Sequence, residues 1–153
     1  MRFPYSMAQI TDVVAAEKHP RDWESLAFKS SGEASSQCDS WLERTDGKLD
    51  RIRLIVRAGR VELPSSYQAA LLLEDERIRG IDYHAVPRNR FYKQTIPKGW
   101  HEDIIDPNKG ATEKGQHERV DLPDIEPYDL VDFLRKVCKH WNILLPPDSE
   151  TLL

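Results

Sequence analysis

Cysteine is nearly absent: Cys38 and Cys138 stand a hundred positions apart with no Cys-x-x-Cys spacing. That excludes a disulfide framework and a thiolate zinc knuckle, and both thiols read as free and reduced. There is no phosphate-cradling glycine loop, no dinucleotide fingerprint and no Gly-x-Ser-x-Gly elbow, so the common nucleotide-binding and serine-hydrolase signatures are missing. Long apolar runs are missing too. No window approaches the roughly 18 uninterrupted apolar residues that a membrane helix needs, and no stretch near Met1 resembles a secretory signal. The chain therefore reads as cytoplasmic, with no membrane partner. No repeat period or low-complexity array is visible.

What is present fits one globular chain. The 153 residues are 39% apolar and 31% charged, with a net charge of -4. That length is sufficient to bury a core. Residues 1–48 read as an N-terminal helical or irregular extension. Met7, Ile10, Val13 and Val14 recur at helical spacing, and Pro20, Asp22 and Glu24 suit the start of a second helix. The SSGEASSQ stretch has loop composition, and Trp41-Leu42 is a short apolar island.

From Asp50 the period becomes two. Ile52, Leu54 and Val56 alternate with Arg51, Arg53 and Arg57, as in a strand buried on one face. Tyr67 to Leu73 predicts a strand covered on both faces, and Arg77 to His84 its returning partner. Arg90 to Ile96 and Trp100 to Ile105 predict further strands, and His117 to Leu122 an edge strand. Glu126-Pro127 is expected to open a helix carrying Leu130, Leu134, Val137 and Trp141 on one stripe. The expected fold is α+β: a largely antiparallel sheet of four to five strands covered on one face by a long C-terminal helix, with a short helical N-terminal region. The expected divisions are 1–48, a single domain over 49–145, and a tail over 146–153.

One stretch concentrates the chemistry. Between Arg77 and Lys98 the cations are Arg77, Arg79, Arg88, Arg90, Lys93 and Lys98, against the single carboxylate Asp82, a local charge of +5 in an acidic chain. Such a patch attracts phosphate-bearing ligands. Asp82 and His84 lie two apart on a strand and share a face, and His101 and Asp103 form a second histidine–carboxylate pair two residues apart. Imidazole titrates near neutral pH, and a carboxylate beside it fixes its tautomer and raises its pKa. Ribonucleolytic cleavage needs one group to take the 2′-hydroxyl proton, another to protonate the leaving oxygen, and cations to hold the phosphate. The candidate catalytic residues are therefore His101, His84, Asp82 and Asp103. The candidate nucleic-acid contacts are Arg79, Arg88, Arg90, Lys93 and Lys98. The same residues also suit histidines that are merely paired with carboxylates near strand ends.

No cofactor or resident metal is assigned. A divalent ion is the alternative, since His101, Asp103 and Asp106 offer suitable atoms within six residues and His117 could join them. Magnesium or manganese suits that set better than zinc. Tyr83, Phe91, Tyr92 and Trp100 could stack on single-stranded bases or pack the sheet.

The order of features from about Arg51 to Ile143 resembles the small TumE-like toxins of toxin–antitoxin loci and related small-protein families. The resemblance rests on Gly80-Ile81-Asp82-Tyr83-His84, on Lys98-Gly99-Trp100-His101-Glu102-Asp103, and on the helix from Leu130 to Trp141. It implies a ribonuclease-like toxin that binds RNA and is neutralised by a small antitoxin. The alternative is a non-enzymatic interaction module that uses the same patch to hold nucleic acid or an acidic protein.

Overall fold

The computed structural model describes residues 3–31, 34–60, 63–84, 99–109 and 116–146. In chain order the elements are α1 (Met7–Ala15), β1 (Lys18–Pro20), β2 (Lys29–Ser31), β3 (Ala34–Arg44), β4 (Ile52–Ala58), β5 (Gln68–Leu73), β6 (Glu76–His84), β7 (Gly99–Ile105), β8 (Gln116–Asp121) and α2 (Leu130–His140). The strands form one sheet in the order β1-β3-β4-β5-β6-β7-β8, with β2 also on β3. Each of these pairings is antiparallel.

This corrects the expected architecture while keeping it α+β. The sheet has eight strands rather than four to five, and the C-terminal helix is 11 residues rather than long. The extra strands come from residues 1–48. β3 alone is 11 residues and pairs with β4 from Ser36↔Ala58 to Leu42↔Ile52. Its Ser, Gln and Asp side chains look like a loop because the strand buries alternate positions, Cys38, Ser40 and Leu42, of which Leu42 alone is a large apolar residue. Pro20 to Glu24 does not open an α-helix. Asp22 instead caps a 3-10 turn over Trp23–Leu26, which buries Leu26. The final helix starts at Leu130 because the Asp129 side chain accepts from the Asp132 backbone N–H, displacing Pro127 from the first turn. β5 buries only one face, with pattern-alternating Ala69, Leu71 and Leu73 inside.

Other expectations hold. α1 is capped by a reciprocal Ser6–Gln9 box and buries Ile10 and Val13. Ile52, Leu54 and Val56 of β4 are buried. Both cysteines are free and buried. The strand expected over 90–96 lies outside the described residues. No helix of the described residues is long and apolar enough to cross a membrane.

Both helices pack on one face of the sheet, where a single apolar cluster joins Ile10 and Val13 to Leu54, Leu71, Ile81, Phe133, Val137 and Trp141. Burying each of the larger side chains contributes roughly 2–3 kcal/mol. Lys18 is wholly buried in this layer. Its ammonium donates to the carbonyls of Val13, Val14 and Ala16 at 3.0, 2.8 and 2.6 Å, closing the C-terminal end of α1. Arg44 closes the same end of the sheet by donating to Asp12, Asp46 and Asp50. The opposite face of the sheet carries no helix among the described residues. There Trp41 lies beneath the guanidinium groups of Arg51 and Arg53.

Candidate functional site

The chemistry gathers on the face that carries no helix among the described residues, across β6, β7 and β8. The β5–β6 hairpin turns on Glu74 and Asp75, which adopt φ of 51° and 65°, the two successive left-handed residues of a tight primed turn. Gly99 opens β7 at φ 136°, a backbone region open to glycine, opposite His84. The register then sets Asp82 opposite His101, Gly80 opposite Asp103, and Asp103 opposite Arg119. Directly opposed residues share a face. Three strands therefore deliver Asp82, His101, Asp103 and Arg119 to one spot.

His101 is the centre of that spot and is buried. Its Nε2 lies 2.7 Å from Asp82 Oδ1 and 3.6 Å from Asp103 Oδ1. Arg119 Nε donates to Asp103 Oδ1 at 2.7 Å. Burial alone would lower the pKa of the imidazole, but the hydrogen bonds and charges of Asp103 and Asp82 outweigh it and push it up to about 9. Burial likewise pushes the Asp103 carboxyl up, and His101 and Arg119 together hold it below its ordinary value. The two carboxylates thus favour the protonated form of the ring.

Arg77 adds a second guanidinium, 3.9 Å from the other Asp103 oxygen. It can lie there because residue 80 is glycine: a Cβ at Gly80 would fall 1.8 Å from Arg77 Nη2. Beside it opens a pocket of about 360 Å³ whose lining includes Gln37, Arg57, Gln68, Ala70, Arg77 and Asp82. Both Nε and Nη2 of Arg57 donate to Gln68 Oε1, at 3.1 and 2.8 Å. Asp82, about one-third exposed, is the member of the His101 cluster that reaches the pocket wall.

The sequence-derived site residues are placed as follows. His101, Asp82 and Asp103 meet, with both carboxylates turned to the one ring rather than each serving its own histidine. His84 belongs to β6 by its backbone, two positions beyond Asp82, and its side chain is outside the described residues. Arg88, Arg90, Lys93 and Lys98 also lie outside them, as does the side chain of His117. Arg79 is buried on the helix-covered face, with Nε 3.9 Å from Glu102 Oε2 and Nη1 donating to the Ile78 carbonyl. Asp106 is buried past the end of β7, accepting from the Asn108 backbone.

Sequence reasoning missed Arg57, Gln68 and Arg119, because each depends on a cross-strand register rather than on spacing. Gly80 was the available signal, since a glycine inside a strand often marks a close approach. It also missed a second polar centre on the covered face. There Glu102 accepts from Trp141 Nε1 at 2.6 Å and lies 2.9 Å from His140 Nε2. Burial would raise the Glu102 pKa, but His140 and Trp141 hold it down; the hydrogen bond to Glu102 in turn raises that of His140.

Comparison of the chain with protein-family models, curated proteins and solved structures found no match.

Proposed function

We propose that the chain is a small toxin-like protein that binds RNA on the sheet face that bears Arg57, Arg77 and Asp82. The observation that carries this reading is the pocket in which the Arg57 and Arg77 guanidiniums stand beside Gln37, Gln68 and the Asp82 carboxylate. Guanidinium pairs suit phosphate oxygens, and amides suit sugar hydroxyls or base edges. Arg57 has a neutral amide as its hydrogen-bond partner, which leaves its charge available to a phosphate.

Cleavage is the finer form of the same reading. In that reading Asp82, which lines the pocket, accepts the 2′-hydroxyl proton with His101 and Asp103 behind it, the 2′-oxygen displaces the 5′-oxygen at phosphorus, and water protonates the leaving oxygen. Incubation of the purified protein with total RNA, with and without divalent metal, tests both levels. RNA binding that weakens steeply with salt supports the site. Cleavage lost in a folded His101→Ala variant supports the hydrolase reading, and undiminished cleavage by that variant rejects the assignment.

The interaction module is favoured by a different observation: His101 is only 2% exposed, which suits a buried electrostatic anchor better than a reagent. Salt-sensitive binding without cleavage would select it. A neighbouring gene for a small helix-turn-helix protein would favour a toxin with its antitoxin.

A further inference from the structure

The Asp82–His101–Asp103 cluster has the geometry of a metal site as well as that of an ion-pair network. One imidazole nitrogen and one oxygen from each carboxylate all lie within 4.8 Å of one another. Both carboxylates approach the same atom, Nε2, at 2.7 and 3.6 Å. An octahedral ion with ligands at about 2.1 Å separates neighbouring ligand atoms by about 3 Å, so the two spacings bracket that edge. A ring nitrogen has one N–H axis and aligns with one acceptor, whereas an ion at the centroid engages all three groups at once. Asp82 Oδ1 is a buried carboxylate oxygen whose close polar neighbour is that same Nε2.

The surroundings fit as well. Arg119 holds the Asp103 carboxylate from outside, the kind of partner that orients ligating carboxylates. Asp82 opens onto the pocket, which provides a route in. Three protein ligands from three positions of a rigid two-strand ladder leave the pocket side for water or a phosphate oxygen.

We propose that Asp82, His101 and Asp103 bind one divalent first-row cation, with manganese the best match to one imidazole and two carboxylates. The cation replaces the proton on Nε2. Calcium is disfavoured because it takes six to eight oxygen ligands, and magnesium because it keeps most of its water. This inference rests on the cluster alone and stands apart from the RNA reading.

Titration of the full chain with MnCl2, followed by calorimetry and by the electron paramagnetic resonance of free Mn(II), tests it. One bound ion per chain is expected. Asp82→Asn should weaken it at least tenfold while circular dichroism shows an unchanged fold, and Arg119→Gln should weaken it about tenfold through the outer contact. In proton NMR the His101 ring signals should broaden first. No manganese binding by the unchanged chain, or equal binding by folded Asp82→Asn, overturns the site. So does broadening confined to other histidines.

Discussion

His101 and Glu102 are adjacent in β7 and face opposite sides of the sheet: the first meets Asp82 and Asp103 on the face away from α2, the second meets His140 and Trp141 under α2. One strand thus carries two buried charge centres back to back. Because their side chains meet different partners among the described residues, variants at one should leave the other's chemistry readable.

The Glu102–His140 pair should make stability depend on pH with a defined sign. His140 has a raised pKa in the folded chain, so its contribution is complete below the unfolded value near 6.5 and is lost as pH rises through the folded value. Glu102 has a lowered pKa, so its contribution is complete above the unfolded value near 4.3 and is lost as pH falls through the folded one. The pair therefore stabilises most between about pH 4.5 and 6.5. Urea midpoints of the unchanged chain and His140→Gln should differ more at pH 5.5 than at pH 8.5; equal gaps would contradict the pairing.

Gly80→Ala should drive Arg77 off its seat. The added methyl meets the guanidinium at 1.8 Å, so the long side chain must swing away. The cost is about 1–3 kcal/mol if the strand yields instead. Thermal unfolding reports that cost, and RNA affinity should fall as it does in Arg77→Ala. An alanine variant with unchanged stability and affinity would show that the close approach has no role.

Arg57→Ala and Arg77→Ala should each weaken RNA binding by a similar factor across sequences and reduce the salt slope by about 1. A change in sequence preference with an unchanged slope would point to base contacts instead.

Lys18→Met should destabilise the chain by about 3 kcal/mol, because three carbonyls at the end of α1 lose a buried donor. Chemical denaturation measures it. A neutral or stabilising effect would mean that α1 frays to solvent at that end.

The sequence announced what depends on short-range periodicity. Ile52, Leu54 and Val56 declare β4, and Leu130, Leu134, Val137 and Trp141 declare the buried stripe of α2. His101 and Asp103, two apart on β7, share a face. Hidden from it was everything fixed by register. Whether Asp82 serves His84 or His101 is decided by which residue stands opposite it on β7. Arg79 and Arg77 look equivalent in a charge count, yet an irregularity in the β5–β6 pairing beside Leu71 and Leu72 accompanies their separation, with Arg79 in the core and Arg77 on the open face. β3 was concealed because its interior positions include Cys38 and Ser40, which carry little hydrophobic signal.

β3 stands between β4 on one edge and β1 and β2 on the other, so the first 48 residues supply three strands to the sheet. A fragment beginning at residue 49 would strip β4 of its neighbour and leave a run of bare amides and carbonyls along a strand that carries the apolar Ile52, Leu54 and Val56. An open apolar edge of that length templates self-association. The amino-terminal third thus shields that edge, and a chain trimmed to begin at residue 49 is expected to self-associate.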